Sequence, residues 1–412
     1  MTTYVHAGAL LAIPGQEPLS KYTVAIDAGR VTSVTAGFTA PKSDDTLIDL
    51  SDHFVLPGLI DCHVHLTGQF GPRHKLELVE ESPTAIALHA AQNARVTLEA
   101  GFTTVRDLGE IGGAADAIFS LRNAVAKGYV AGPRIFAAGS IISPTGGHGI
   151  TCGYRDDINL LFDPTGRGDG IDGCRYAVRK QVSRGADFIK FVATGGVLTD
   201  TATGTGQQFF EDEYEAIVAT AHMLGRKTTA HAHGADGMKA ALKAGVDGIE
   251  HGTFMDDEVI ETMKRRGVFY VPTTLAGVTV AEYATKQDFM PPAIREKALE
   301  VGPKIIDTLR HGHAAGLRVA FGTDTAVSPH GQNAREFALM AQAGMSPMEC
   351  IVAATRTASE HIGHACDLGS IDAGKAADII ATSASPLSDI RELEKVRFVM
   401  RDGHVYKHAR AA

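Results

Sequence analysis

The chain has 412 residues, of which 44% are hydrophobic and 21% are charged, and its formal net charge is −9. The length predicts one large barrel with a smaller module, or two to three domains. The negative charge and the lack of a basic run argue against a nucleic-acid partner.

The cysteines and the hydropathy of the chain indicate the cellular compartment of the protein. The five cysteines, Cys62, Cys152, Cys174, Cys350 and Cys366, include no Cys-x-x-Cys pair, which favours reduced thiols. The N-terminal segment is a poor match to a signal peptide. No apolar run approaches the roughly 20 residues that span a bilayer. We therefore expect a cytoplasmic protein with no membrane partner.

Both ends of the chain are rich in strand-like segments. Alternating segments at 22–27 and 31–34 flank a turn, and apolar segments follow at 47–50 and 54–57. Near the other end, 377–382 and 396–400 have the same character, and Asp402-Gly403 predicts a hairpin turn. Because chain ends often lie close together, we expect 1–57 and 366–412 to form one small β-sandwich domain.

The middle of the chain, 58–365, alternates strands with helices. The predicted strands are 59–65, 102–107, 134–138, 187–192, 227–231, 248–251, 268–273 and 318–324. The predicted helices are 83–100, 114–126, 172–184, 211–224, 235–244, 256–266, 293–315 and 334–343. Eight strand–helix units favour an α/β fold with a closed (β/α)8 TIM barrel. An open doubly wound sheet is the alternative, and the lack of G-x-G-x-x-G after the first strand counts against it.

Polar residues follow the carboxyl ends of five of these strands, where the active site of a (β/α)8 barrel forms. His63 and His65 end the first strand, and their imidazoles lie on the same side of it. The fourth, fifth, sixth and eighth strands supply Lys190, His231, His251 and Asp324. Singly, these residues could be a surface lysine, core histidines and a helix-capping aspartate. Their convergence on one barrel mouth favours a metal site.

Lys190 distinguishes between one and two metal ions. It lies in the apolar segment 188–192, where burial favours the neutral amine. A neutral lysine amine can add carbon dioxide and form a carbamate, an anion that can bridge two divalent ions. His63, His65 and Asp324 would then bind one ion, and His231 and His251 the other. Imidazole and carboxylate ligands suit zinc best, with manganese, cobalt and nickel as options.

The order His-x-His, Lys, His, His, Asp along the barrel resembles the amidohydrolase superfamily with a binuclear lysine-carbamate centre. Segment 56–65 is similar to its signature segment, and 369–378 is similar to its return into the β-domain. The segments 147–149, 190–196, 230–233 and 249–252 resemble the branch that contains Xaa-Pro dipeptidases, carboxypeptidase-like dipeptidases and ochratoxin-hydrolysing amidohydrolases. The resemblance spans essentially the whole chain.

The resemblance implies a metal-dependent hydrolase that releases a C-terminal amino acid from a dipeptide or an N-acyl amino acid, with ochratoxin A as one candidate substrate. Lys190 would be an N6-carboxylysine that bridges two divalent ions. Asp324 would carry a proton from the attacking water to the leaving amine. His148, on a glycine-rich loop after the third strand, would stabilise the oxyanion. Its alternative is a loop histidine with local packing only.

A substrate carboxylate needs a cation or a hydroxyl, and Arg106, Tyr154 and Arg155 are the candidates near the mouth. His233 either lines the pocket or supports His231. The segment 194–206 is expected to be a substrate loop rather than a plain linker. The segment 274–292 is expected to be a loop that forms a lid.

Two other function classes fit these residues less well. A deaminase or imidazolone-type hydrolase on a similar barrel usually has no lysine on the fourth strand, so Lys190 argues against it. A barrel without catalysis that serves assembly would not need every ligand position filled. Because relatives of this type are often large assemblies, we expect a homo-oligomer, with an octamer as one option.

Overall fold

The computed structural model describes residues 1–110, 115–149, 154–159, 166–199, 204–286 and 289–409. Its first four strands are β1 (Thr3–Leu10), β2 (Leu19–Asp27), β3 (Arg30–Ala36) and β4 (Thr46–Pro57). The strands predicted at 47–50 and 54–57 are one strand, β4, whose register with β1 shifts between Ala7 and Ala9. Gly8 lies at that shift, and a Cβ atom there would meet the Ser51 carbonyl oxygen at 2.1 Å. The polar segment between the two predicted strands is therefore a bulge in the pairing and not a break in the strand.

The barrel strands are β5 (Leu59–Val64), β6 (Phe102–Asp107), β7 (Arg134–Ala137), β8 (Ile189–Val192), β9 (Thr228–Ala232), β10 (Gly248–His251), β11 (Phe269–Val271) and β12 (Arg318–Val319). They form two parallel sheets, β5-β6-β7 and β8-β9-β10-β11-β12. Ile142 continues the first sheet and bonds β8, since its N–H donates to the Lys190 oxygen at 2.9 Å. On the other side, Cys62 of β5 donates to the Phe321 oxygen at 2.9 Å. These bonds close the sheet, so the predicted (β/α)8 barrel is confirmed.

The helices are α1 (His74–Glu80), α2 (Pro83–Glu99), α3 (Ala115–Ala126), α4 (Asp156–Asn159), α5 (Gly170–Arg184), α6 (Glu211–Met223), α7 (Ala235–Ala244), α8 (Asp257–Arg266), α9 (Thr274–Ala284), α10 (Pro292–Ala314), α11 (Arg335–Gln342), α12 (Pro347–Val352) and α13 (Ala358–His361). A π-helical turn, Ala353–Thr357, joins α12 to α13, and a 3-10 helix spans Ile390–Lys395. The first residue of the helix predicted at 114–126 lies outside the described residues. No helix in the described ranges has the length and apolar character that a bilayer crossing requires.

Helix α8 shows how local sequence sets the helix ends. The side chain of Asp256 accepts a hydrogen bond from the Val259 N–H at 2.9 Å, which caps the first turn. Acidic residues occupy the first turn and basic residues the last, as the helix dipole favours. Gly267 follows with a φ of 68°, the left-handed conformation that ends many helices.

Three C-terminal strands complete the terminal sheet: β13 (Ile379–Thr382), β14 (Phe398–Arg401) and β15 (His404–His408). The order in this seven-stranded part of the structure is β15-β14-β13-β4-β1-β2-β3, so both chain ends share one sheet. The hairpin predicted at Asp402-Gly403 is present, with φ values of 49° and 75°. The predicted β-domain from both termini is confirmed, and the boundaries 1–57, 58–365 and 366–412 remain our proposal.

Candidate metal centre and active site

The first ligand group lies where β5 and the segment after β12 meet. Asp324 Oδ1 is 3.4 Å from His63 Nε2 and 3.3 Å from His65 Nε2. The backbone N–H of Asp324 donates to the His63 oxygen at 2.7 Å, and Asp324 has a φ of 56°. Potential ligand atoms of these three residues all lie within 4.8 Å of one another. The structure therefore brings together the three residues that were predicted to share one ion.

The other ring nitrogens of the two histidines are already engaged. His63 Nδ1 is 2.9 Å from Glu250 Oε2, and His65 Nδ1 is 2.5 Å from the Gly109 oxygen. A carboxylate and a carbonyl can only accept, so both rings donate from Nδ1. In the neutral form of each ring, the Nε2 atom that faces Asp324 then carries the lone pair. This is the arrangement of histidines that bind metal ions, whose second nitrogen is held by a carboxylate or a carbonyl.

A second group consists of His231, His233 and His251, whose potential ligand atoms also lie within 4.8 Å of one another. His251 Nδ1 is 2.7 Å from Thr273 Oγ1, and His233 Nδ1 is 2.7 Å from Thr253 Oγ1. Among the described residues, the buried Nε2 atom of His231 has no hydrogen-bond partner. A buried, unpaired ring nitrogen is costly unless something coordinates it, so this donor set fits a metal ion. The ring centroids of His63 and His251 are 5.0 Å apart, which joins the two groups.

Burial keeps these imidazoles neutral. It lowers the pKa values of His231 and His251 well below 6.5, with help from neighbouring imidazoles, and lowers that of His233 to about 4. Burial opposes the ionisation of Asp324, but His63 and His65 hold its pKa well below the usual range. Burial opposes protonation of His65, but Asp324 raises the pKa of that ring, so a metal ion would displace a proton there. The neutral imidazoles of the second group and the ionised Asp324 carboxylate are the protonation states that bind a divalent ion.

Lys190 lines the same cavity as both histidine groups and is only 2% exposed. Burial lowers the pKa of its amine to about 8, against the opposing influence of Glu250 and Asp324. A neutral fraction of about one tenth at pH 7 follows, far above that of an ordinary lysine. That fraction is the form that the predicted carbamate chemistry requires.

Glu250 lies at the centre of the barrel, beneath the histidines. Its Oε2 accepts from His63, while its Oε1 accepts from Arg106 Nη2 at 2.5 Å and from the Thr229 hydroxyl. Strands β5 and β6 do not neighbour β10 in the sheet order, so these contacts cross the barrel interior. Arg106 Nε also donates to the Cys62 oxygen at 2.7 Å. Arg106 is thus held inside the barrel by Glu250 and the Cys62 oxygen. This corrects the prediction that Arg106 binds a substrate carboxylate.

The other two carboxylate candidates lie in different surroundings. Tyr154 lines the cavity, as predicted for a residue near the mouth. The side chain of Arg155 is 77% exposed and forms two hydrogen bonds with Asp157, at 2.6 and 2.7 Å. Arg155 is therefore on the surface and not among the described residues that line the cavity, contrary to the prediction.

His148 stands over the second histidine group, with its ring centroid 4.3 Å from that of His231. Its Nδ1 atom is 2.7 Å from Thr199 Oγ1, and its backbone N–H donates to Gln208 at 2.7 Å. Burial lowers the pKa of His148 to about 3, so the ring is neutral. A Cβ atom at Gly196 would come within 2.3 Å of this ring, so the loop can pass His148 only with glycine there.

The cavity above the two groups has a volume of about 890 Å³. One wall is apolar and comes from α9, α10 and the loops after β8 and β12: Val197, Leu198, Ala276, Val280, Val301, Ile305 and Val327. Residues 197–199 of the predicted substrate loop line this wall, while 200–203 lie outside the described residues. The segment 274–292 was predicted to be a loop, but its first part is helix α9, and 287–288 lie outside the described residues.

Sequence reasoning missed Glu250, Thr253 and Thr273, which hold the histidine rings. A glutamate next to His251 in an apolar strand was the available signal, because a buried carboxylate needs partners. The two threonines gave no signal, since hydroxyls are common at strand ends.

Comparisons with known proteins agree with this geometry. The model of the amidohydrolase family matches residues 54–406. Ochratoxinase from Aspergillus niger is 31% identical over 433 aligned residues, which cover 98% of this chain and 86% of that protein. A crystal structure of a Xaa-Pro dipeptidase with methionine bound in its active site is 41% identical, with a TM-score of 0.93 over 99% of this chain and 100% of that one. A prolidase in complex with N-methylphosphonate-L-proline is 30% identical, with a TM-score of 0.89 over 99% of this chain and 100% of that one.

Proposed function

Since the chain belongs to the amidohydrolase family, whose members hydrolyse C–N bonds, we propose that it cleaves an amide bond with two divalent metal ions and releases a C-terminal amino acid. The observation that carries the proposal is the convergence of two ligand groups on one cavity, with a buried lysine at the same place. Dipeptides and N-acyl amino acids are the proposed substrates.

Six residues would hold the metal. His63, His65 and Asp324 would bind one ion, His231 and His251 the other, and Lys190 would bridge both as N6-carboxylysine. Zinc is the proposed metal, because imidazole nitrogen and carboxylate oxygen are ligands that zinc takes in proteins. When bound, the ions would lower the pKa of water and polarise the substrate carbonyl. His233 is the remaining member of its group and is proposed to face the substrate.

The chain itself would move the protons. Asp324 is ionised in the folded protein, so its carboxylate can accept a proton from the attacking water and pass it to the leaving amine. The Thr199 hydroxyl can donate to His148 Nδ1, which places the proton of the neutral ring on Nε2. That N–H can then donate to the oxyanion.

The cavity supports an apolar substrate group. Its volume of about 890 Å³ is near the upper end for drug-sized ligands, and its α9–α10 wall is aliphatic. An aromatic N-acyl group would bury its surface there, as in ochratoxin A, which links an aromatic acid to phenylalanine. Similarity to ochratoxinase supports this choice. Tyr154 is the proposed contact of the substrate carboxylate.

Substrate class is tested by a screen of dipeptides, N-acyl amino acids, ochratoxin A and imidazolone-type cyclic amides, with the released amino acid as the readout. Release from linear amides, fastest with aromatic acyl groups, is expected. Hydrolysis of the cyclic substrates alone would overturn the proposal.

The two-metal centre is tested with Lys190→Ala and the matched surface variant Lys243→Ala, whose lysine is exposed and paired with Glu211. Wild type and Lys243→Ala are expected to hold close to two ions per chain by elemental analysis. Lys190→Ala is expected to lose metal and activity, and short carboxylic acids are expected to restore both in part. One tightly bound ion that Lys190→Ala leaves in place would refute the binuclear site.

We also propose that the protein is a cytoplasmic homo-oligomer, with an octamer as one option. Relatives of this type are often large homo-oligomers, which supports this proposal. Light scattering coupled to size-exclusion chromatography would measure the assembly. A monomer at micromolar concentration would contradict it.

A further inference from the structure

Helix α9 starts in an unusual way directly after β11. Thr273 occupies the N-cap position with a left-handed backbone, at φ 51° and ψ 44°. Threonine at this position normally caps the helix with its own hydroxyl. Here the Thr273 hydroxyl makes no such bond, and it donates to the Pro272 oxygen at 2.8 Å.

The same hydroxyl fixes the tautomer of His251. A hydroxyl has one proton, and that of Thr273 goes to Pro272, so its oxygen must accept from His251 Nδ1 at 2.7 Å. His251 therefore carries its proton on Nδ1 and keeps the lone pair on Nε2. A metal ion requires a free lone pair of this kind.

The missing cap comes from Glu336 on α11. Its Oε1 accepts from the Thr274 N–H at 2.9 Å and from the Thr274 hydroxyl at 2.7 Å, and its Oε2 accepts from the Leu275 N–H at 2.5 Å. Glu336, Thr273 and Thr274 are fully buried. Burial raises the pKa of Glu336 to about 7, although these three donors favour its ionised form.

We propose that Glu336 is a positioning residue for the metal centre: it caps α9 in place of Thr273 and so leaves the Thr273 hydroxyl to hold His251. Without Glu336, two buried N–H groups at the start of α9 would lack an acceptor, and the Thr273 oxygen is the nearest one in sequence. Once that oxygen turned to cap the helix, it would release the His251 ring. The inference rests on the proposed role of His251 as a metal ligand.

Glu336→Gln is the direct test, because it keeps the shape but replaces one acceptor with a donor. Glu213→Gln is its matched control. Glu213 is also buried and accepts from two backbone N–H groups at helix starts, Gly170 at 2.6 Å and Phe210 at 2.7 Å. Like Glu336, it is not among the described residues that line the cavity, but the N–H groups that it caps are not next to Thr273.

Both variants are expected to lower the melting temperature. Only Glu336→Gln is expected to weaken binding of zinc to the metal-free protein, by about 10- to 100-fold in competition with a chelator, as is usual when a partner of a ligand is lost. It is also expected to lower kcat more than it raises KM. Equal zinc affinity in Glu336→Gln and Glu213→Gln would overturn the inference.

If Glu336→Gln does not fold, Thr273→Val tests the same inference, since it replaces only the hydroxyl, with a methyl group of similar size. It is expected to reproduce the loss of zinc affinity with a smaller change in melting temperature. If both single variants fold, the double variant should lose no more affinity than Thr273→Val alone, because the two residues act in series. Zinc affinity unchanged by Thr273→Val, or additive losses, would overturn the inference. Failure of wild type itself to bind zinc would instead refute the proposed function.

Discussion

Replacing Glu250 with glutamine removes one negative charge from the barrel centre without a change in side-chain volume. Glu250 is fully buried, and its two oxygens accept from His63 at 2.9 Å and from Arg106 at 2.5 Å. The Arg106 guanidinium would remain buried without its counter-ion. Loss of one partner of a buried ion pair costs about 3–5 kcal/mol, so we expect the free energy of unfolding to fall by that amount.

Glu250→Gln should also weaken metal binding. A glutamine that offers its oxygen to Arg106 turns its NH2 group toward His63 Nδ1, where a proton already lies. Two donors repel, so the His63 ring must rotate or move its proton to Nε2, the nitrogen that faces Asp324. We expect zinc affinity to fall by about 10- to 100-fold.

The two effects can be separated. Urea unfolding of the metal-free protein, followed by circular dichroism, measures the first, and chelator competition measures the second. Addition of Arg106→Met to Glu250→Gln should recover stability, because the unpaired cation is gone, but should not recover zinc affinity. A Glu250→Gln variant within about 1 kcal/mol of wild type would refute the claim that Arg106 depends on this carboxylate.

Two further changes test other parts of the site and the core. Gly196→Ala should lower kcat by about 100-fold or more with the zinc content unchanged, because the new Cβ would meet the His148 ring at 2.3 Å; full activity would contradict this. His361 is buried, and within the described chain its ring nitrogens have no partners, so burial lowers its pKa well below 6.5. Below pH 6.5 the unfolded state binds a proton at His361 that the folded state does not, so the free energy of unfolding decreases as the pH is lowered. His361→Leu should reduce the slope of unfolding free energy against pH, for the metal-free protein, by about 1.4 kcal/mol per pH unit. An unchanged slope would contradict this.

The fold was predictable because periodicity marks each barrel element. Strands β6 and β10 and helix α7 have the predicted bounds, and the other barrel strands agree within two residues except β12, which ends at Val319, before the predicted end at 324. Helix α9 was not predicted, since threonine, valine and glycine in 274–284 have low helix propensity. Tertiary contacts override that propensity: Val280 and Ala284 pack in one cluster with Ala298 and Val301 of α10.

Position at a strand end predicts which side chains reach the barrel mouth, but not the depth at which a long side chain stops. His63, His65 and Asp324 are short enough to stay at the level of the strand ends, and the structure brings them together. Arg106 is long and instead turns inward to Glu250, where an ion pair in a dry interior is stronger than one with a solvated ligand. The direction of the Arg106 side chain cannot be predicted from local sequence, because it depends on a carboxylate 144 positions away.

The metal site also depends on a break in the strand alternation that made the barrel recognisable. Consecutive strand residues point to opposite faces, yet Glu250 reaches His63 while the next residue, His251, lines the cavity beside it. His251 has a φ of 68°, and this left-handed turn aims its ring back into the barrel. Thr273 and Asp324, which lie in the segments after the next two strands, have φ values of 51° and 56°. Each such residue costs about 1–2 kcal/mol, so the barrel must hold all three in place, and periodicity gives no sign of them.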